Sequence, residues 1–245
     1  MKNLKKFETQ AAYEAAESGL ILPNVSLVSE NNVVHYNPSS PIPSHDYVEI
    51  GGVKWATMNI GANSITDTGL YFQWGDTSGY TTSQVGTDKV FNWESYKYGN
   101  GTSNPGPTGM TKYNATDGKT VLDINDDAAQ ANWGGSWRMP TTEELQTLGT
   151  VTTSAWVSSY EGSGVAGLIL TSNSDSSKKL FFPACGNANG SNINNVGSYG
   201  NIWSSSVNSN YVVYSFRLLT SSSNVDFSNY TYRYIGLPVR AVLDE

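Results

Sequence analysis

Charge is what this chain has least of. Only 14% of its 245 residues are charged, against roughly 25% in ordinary globular proteins. The net charge is −7 and the pI is near 4.8. A protein that reads a nucleic-acid backbone needs a basic stripe, so that class is excluded. Cysteine is almost missing: Cys185 stands alone, which excludes an internal disulfide framework and any multi-cysteine metal site. The two histidines, His35 and His45, lie in the first fifth of the chain. The remainder therefore offers neither a histidine-based triad nor a histidine zinc site. No apolar run approaches the roughly eighteen residues of a membrane span, so no membrane insertion is expected. The basic start, Met1 to Lys6, is not followed by an apolar stretch of leader length, and no secretory signal peptide is expected.

What remains is apolar enough to fold. The hydrophobic fraction is 38%, with 7 Trp and 15 Tyr, so disorder is not expected. The length suits one large domain or two small ones. Solubility falls to uncharged polar groups: 31 Ser, 24 Asn, 22 Thr and 24 Gly together make 101 residues.

Residues 4–18 place Leu4, Phe7, Ala11, Ala12 and Ala15 at helical spacing, and Gly19 is a natural stop. Two short β-rich runs around Glu30-Asn31-Asn32 predict a hairpin. Pro38, Pro41 and Pro43 among serines make a stiff linker, where the domain boundary is placed: 1–44 a tether, 45–245 the main domain. Two alternating runs around Gly51-Gly52 predict a second hairpin. Residues 99–109, rich in Gly and Pro, predict a loop. A short helix is expected over 126–133, ended by Gly134-Gly135. Thr141 with Glu144 three residues on is a capping box that starts another helix through Leu145 and Leu148. Beyond it, strands are expected at Leu168–Leu170, Leu180–Phe182, Val212–Leu219 and Val239–Leu243. Few helices and many strands predict an α+β fold.

Conventional chemistry finds little support. Asp123, Asn125 and Asp127 occupy positions 1, 3 and 5 of a calcium-loop pattern. The pattern then fails, with Ala128 where Gly belongs and Gly134 where Glu belongs. Capping by Asn125, Asp126 and Asp127 accounts for the same residues, so a structural cation is only a weak candidate and no cofactor is expected. Glu143, Glu144, Glu161, Asp175 and Asp226 show no spacing that selects a catalytic pair. Cys185 sits in an apolar Phe181-Phe-Pro-Ala-Cys-Gly run and reads as an inert buried thiol. Trp203 reads as core.

The sharpest feature is local. Residues 186–236 hold 10 Asn, 11 Ser and 6 Tyr, and no Lys, Glu, Gln, Met or His. An inert polar loop region would not carry exposed aromatics. Here Tyr199, Tyr211, Tyr214, Tyr230, Tyr232 and Tyr234 stand among Asn and Ser. The last three alternate, which puts them on one face of an extended segment. Tyr with Ser and Asn is the palette of antibody-like binding faces, large contact area at low entropic cost beside adaptable hydrogen bonds. The palette also has a coding reading. Replacing the adenines of Asn codons at random never yields Lys, Glu, Gln, Met or Trp, and of these only Trp203 occurs in the segment.

Six motifs in one order carry a resemblance. They are Val48-Glu-Ile-Gly-Gly-Val-Lys-Trp-Ala-Thr-Met-Asn59, Gly69-Leu-Tyr-Phe-Gln-Trp-Gly75, Asp126-Asp-Ala-Ala followed by Trp133-Gly-Gly-Ser-Trp-Arg-Met-Pro-Thr141 and Glu144-Leu145, Phe181-Phe-Pro-Ala184, Trp203-Ser-Ser-Ser206, and Gly236-Leu-Pro-Val-Arg240. Over 46–245 the chain resembles the Fibrobacter-type major paralogous domain. That implies the formylglycine-generating-enzyme-like variant of the C-type lectin fold. A single cysteine departs from that enzyme's pattern, so the resemblance implies the fold and no catalysis.

Within the group, residues 198–240 look like the variable region of a diversity-generating retroelement target, as in phage tropism-determinant-like proteins. Residues 1–44 are similar to the starts of tail proteins in phages of gut Bacteroidales. The resemblance implies a scaffold of Gly200, Trp203, Ser204, Ser205, Ser206, Gly236, Val239 and Arg240. Between them lie the candidate diversified, ligand-binding positions: Tyr199, Asn201, Ile202, Asn208, Asn210, Tyr211, Tyr214, Arg217, Asp226, Ser228, Asn229, Tyr230, Thr231, Tyr232, Tyr234 and Ile235. The implied function is a non-enzymatic adhesin of a phage tail or an extracellular surface, binding a bacterial surface protein or glycan. Display as a trimer or higher homo-oligomer, joined to tail components, would add avidity. Competing readings are an undiversified bacterial surface module of the same fold and a carbohydrate-active enzyme.

Overall fold

The computed structural model describes residues 45–244, together with the backbone of two upstream strands. Those strands, β1 (Leu27–Glu30) and β2 (Val33–Tyr36), pair antiparallel as the expected hairpin. The expected helix over 4–18 and the proline linker lie outside the described residues.

The architecture is α+β, with antiparallel sheets dominant and few helices. β3 (Tyr47–Ile50) and β4 (Val53–Ala56) form the second expected hairpin. Gly51 and Gly52 both take positive φ, 63° and 78°, which a two-residue turn matched to strand twist requires. The last strand, β14 (Val242–Leu243), enters between β4 and β5 (Trp137–Arg138), giving the order β3-β4-β14-β5. The chain's end is therefore stitched to the domain's beginning.

Two helices follow the sequence signals. α1 (Ala128–Trp133) is capped by Asp127, whose carboxylate accepts from the N–H groups of Ala129 and Gln130 at 2.8 and 3.0 Å. Gly134 ends it at φ 67°. α2 (Thr142–Thr150) starts with the complete capping box, Glu144 N–H donating to the Thr141 hydroxyl and Thr141 N–H to the Glu144 carboxylate. Two three-stranded meanders complete the frame. One is β6 (Thr152–Val157), β7 (Gly167–Ser172) and β8 (Lys179–Pro183). The other is β11 (Tyr199–Val207), β12 (Tyr214–Ser221) and β13 (Val225–Tyr232), preceded by the small hairpin β9 (Asn187–Asn189) and β10 (Asn192–Asn194).

β11 divides the interior. Trp203 and Val207 face a tryptophan- and tyrosine-rich cluster with Trp74, Trp137 and Met139. Ile202 faces an aliphatic cluster with Leu145, Leu148, Leu168 and Leu218, under α2 and β7. β11 is buried on both faces, so its sequence shows no two-residue alternation.

Three expectations shift. The strand expected over Val239–Leu243 pairs regularly only at Val242–Leu243. Before it, Pro238 has no N–H, and the carbonyls of Val239 and Ala241 accept from Ile60 and Ala56 outside any ladder. The strand expected from Val212 starts at Tyr214, because the Asn208 side chain closes a turn by accepting from Asn210 and Tyr211. Of Asn125, Asp126 and Asp127, only Asp127 caps a helix. Among the described residues no helix is long and apolar enough to cross a membrane.

Candidate functional site

The Tyr/Asn/Ser segment is fastened from beneath. The Gly69–Gly75 motif runs alongside residues 233–237. Phe72 and Leu237 exchange backbone bonds at 3.0 Å, Trp74 N–H donates to the Arg233 carbonyl, and the Gln73 amide donates to the Tyr234 carbonyl. Arg233 points inward and is wholly buried. Its guanidinium lies over the rings of Trp74, Tyr96 and Tyr113, at 4.6, 5.5 and 5.8 Å. It donates to the carbonyls of Lys112, Tyr113 and Val212. Arg233 sits between Tyr232 and Tyr234, so anchoring it inward leaves its two neighbours pointing away.

Those neighbours belong to a continuous row of rings. Tyr214 on β12 lies directly across from Tyr232 on β13, and their rings stack at 4.5 Å and 28°. Tyr232 stacks in turn on Tyr234 at 5.5 Å and 18°. Trp93 meets Tyr232 and Tyr234 edgewise at 5.8 and 4.8 Å. On the other side Tyr230 and Tyr211 meet Tyr214 at steep angles, 61° and 75°. Tyr211 is 60% exposed, Tyr230 48% and Tyr232 40%. The face of β13 alternates as expected, with Ser228, Tyr230 and Tyr232 outward and Asn229 and Thr231 half-buried. Hydrogen bonding with Tyr232, with some burial and neighbouring phenols, pushes the Tyr214 hydroxyl up to about 12. The row is held in place by its own ring contacts. Trp93, outside the sequence-assigned segment, and Arg233, within it but unassigned, are residues that sequence reasoning missed. The only sequence signal of Trp93 is an aromatic beside Phe91 and Asn92.

On the other face of the same strands lies a polar relay. Arg217 on β12 donates to Asn201 on β11 at 2.5 Å and to Asn229 on β13 at 3.0 Å. Asn229 donates on to Asp226. Burial lowers the Arg217 guanidinium to about 10, with Asp226 opposing the shift. Burial also acts to raise Asp226, but hydrogen bonds from Asn229 and Ser228 hold it below the ordinary carboxylate range.

The sixteen sequence-assigned positions therefore divide. Tyr211, Tyr214, Tyr230, Tyr232 and Tyr234 form the row; Asn210 and Ser228 are exposed next to it in sequence, and Asn229 and Thr231 face the other way, half-buried. Arg217 and Asp226 belong to the relay with Asn229. Four more are buried. Ile202 and Ile235 are core residues, because their neighbours pack them against Leu218 and the tryptophan cluster. Asn201 is buried, donating to the Gly186 carbonyl and accepting from Arg217. Asn208 is buried as the turn closer described above. Tyr199 is exposed but pairs with Ser221, at the opposite end of β12 from Tyr214. Seven residues of strand separate them, about 20 Å.

The implied scaffold residues have physical reasons. A Cβ on Gly200 would collide with the Thr220 hydroxyl, and one on Gly236 with the Phe91 ring. Trp203 donates its indole N–H to the Phe72 carbonyl. Ser204, Ser205 and Ser206 form a bulge, since Trp203 pairs with Arg217 while Val207 pairs with Ser215. Their hydroxyls replace the lost ladder, meeting Phe216 and Pro140 carbonyls and binding Thr142 at the start of α2. Val239 is core. Arg240 is fully buried over Phe182, donating to Asn59, Ala56, Thr57 and Phe181.

The other candidates are accounted for structurally. Asp127 caps α1 and also accepts from Met139 N–H. Asp123 pairs with Lys112 and Lys119, and Asn125 is exposed. Asp126 takes Lys97, Lys112 and Tyr113; these contacts outweigh burial and hold it well below the ordinary range. Among the described residues no three His, Cys, Asp or Glu side chains are grouped to hold a metal. Cys185 is buried, and desolvation pushes its thiol up to about 12. Glu144 is committed to the capping box and to Arg138.

No family model matches this chain, no curated protein matches it, and no solved structure matches it.

Proposed function

We propose that the chain is a non-enzymatic ligand-binding protein, an adhesin whose tyrosine row engages a bacterial surface ligand. In this reading residues 45–245 form a lectin-like domain of the formylglycine-generating-enzyme-like type, and residues 1–44 tether it to a phage tail or a homo-oligomer. The observation that carries the reading is the row itself. Five tyrosines from two strands and two turns meet ring to ring, three of them 40–60% exposed. Exposed aromatics that touch one another form a patch, and patches mark interaction sites. Rings already locked together lose little further freedom when a partner docks. The segment's Asn, Ser and Tyr palette accords with diversification through adenines.

The test is adhesion of the labelled protein to a panel of bacterial strains. Replacing Tyr211, Tyr230 and Tyr232 by Ala abolishes adhesion while the melting temperature stays near the parent's. Undiminished adhesion by that variant sinks the reading.

A further inference from the structure

Cations in this protein seek tyrosine rings. Tyr47 has Lys54 over it, Tyr80 has Lys89, Tyr98 has Lys97, and Tyr113 has Lys112, at 4.8 to 5.9 Å. Among the described residues, no tyrosine of the 186–236 segment carries one. Its two arginines are spent internally: Arg233 is wholly buried, and Arg217 is bonded to Asn201 and Asn229. The one carboxylate, Asp226, lies across from Leu219, bonded to Ser228 and Asn229 and neighbouring Arg217. The chain as a whole is at −7. The row is thus an array of electron-rich rings that no positive charge among the described residues covers, on a net-negative chain.

We infer that the row takes the cationic side chains, arginine foremost, of an extended basic segment in a surface protein. The inference rests on the ligand-binding reading above and names its ligand chemistry. Cation–π attraction supplies the contact. The charge of the chain draws a basic partner in and turns an acidic one away. Several rings spread over two strands call for several cations on one chain rather than a single headgroup. A planar guanidinium also stacks on a ring while its N–H fork donates to phenol oxygens.

The experiment is titration calorimetry of the full chain with four probes. The first is an octapeptide alternating Arg and Ser. In the second citrulline, a neutral isostere, replaces Arg, and in the third Glu does. The fourth is a choline-bearing polymer. The Arg peptide binds, and its affinity falls as salt is raised. Tyr230→Leu and Tyr232→Leu each weaken it about three- to fivefold, the size of one exposed cation–π contact. The tyrosine variants leave net charge unchanged, so diffuse attraction to the acidic chain is equal in both. Equal binding of the citrulline or Glu peptide overturns the assignment, as does an Arg peptide that fails to bind or ignores the tyrosine variants. Binding of the choline polymer in its place overturns it in favour of a headgroup. In the adhesion assay the two readings separate. If cells are still held through Tyr211, Tyr230 and Tyr232 but the Arg peptide does not compete, only the cationic assignment falls. If the tyrosine variants adhere undiminished, both fall.

Discussion

Gly236 has no room for a side chain. Its backbone lies against the Phe91 ring and exchanges bonds with Ala188. Gly236→Ala is expected to cost about 1–3 kcal/mol, read as a fall in melting temperature. Arg233 is a stronger case. Replacing it by Ala leaves a cavity and orphans the carbonyls of Lys112, Tyr113 and Val212. The expected loss is about 3 kcal/mol or more. Because Tyr232 and Tyr234 flank it, the same variant loosens the row, and tyrosine fluorescence changes with it. Cys185 gives a pH prediction. Burial pushes the folded thiol up to about 12, whereas an unfolded thiol titrates near 8.5. Above that ordinary range the folded state binds more protons than the unfolded, so stability falls as pH rises toward 12. Cys185→Ala is expected to make this alkaline loss shallower, and the native thiol resists a disulfide reagent at pH 8 until the protein is unfolded.

At the scale of elements, legibility followed how local the determining physics was. The Gly51-Gly52 hairpin and the Thr141–Glu144 capping box are written in a few adjacent residues, and both form as read. Thr141→Ala is expected to cost about 1 kcal/mol in denaturant unfolding. Glu144→Ala costs more, because Glu144 also binds Arg138, which reaches Asp244 near the chain's end. β11 was not legible. It carries Gly, Asn and three serines yet is almost entirely buried, since its hydroxyls find Pro140, Thr142 and Phe216 from distant segments. Polarity there signals long-range hydrogen bonding, which no local pattern reveals. β6 was missed for the opposite reason, being an edge strand that is largely exposed and shows no alternation. The site was legible in its alternating tyrosines. It was not legible in Trp93 and Arg233, whose roles depend on what lies beneath the row, nor in Ile202, Ile235, Asn201 and Asn208, which the resemblance placed among the diversified positions and the packing places inside.

On the scale of the whole molecule, two interior clusters meet across β11, and the final strand closes the first sheet between β4 and β5. Deleting residues 242–245 removes that closure, and the account expects loss of cooperative unfolding by circular dichroism. The low charge of the chain finds its sharpest expression at the surface this frame holds out, a row of phenols on a net-negative body. The central claim is that this row is a ligand-binding face and the rest its support. Adhesion of the labelled full chain to a strain panel, parent beside the Tyr211→Ala, Tyr230→Ala, Tyr232→Ala triple variant, tests it most directly. The account predicts saturable binding of the parent to some strains and none by the variant, with both melting within a few degrees. Binding by the variant equal to the parent's would contradict it.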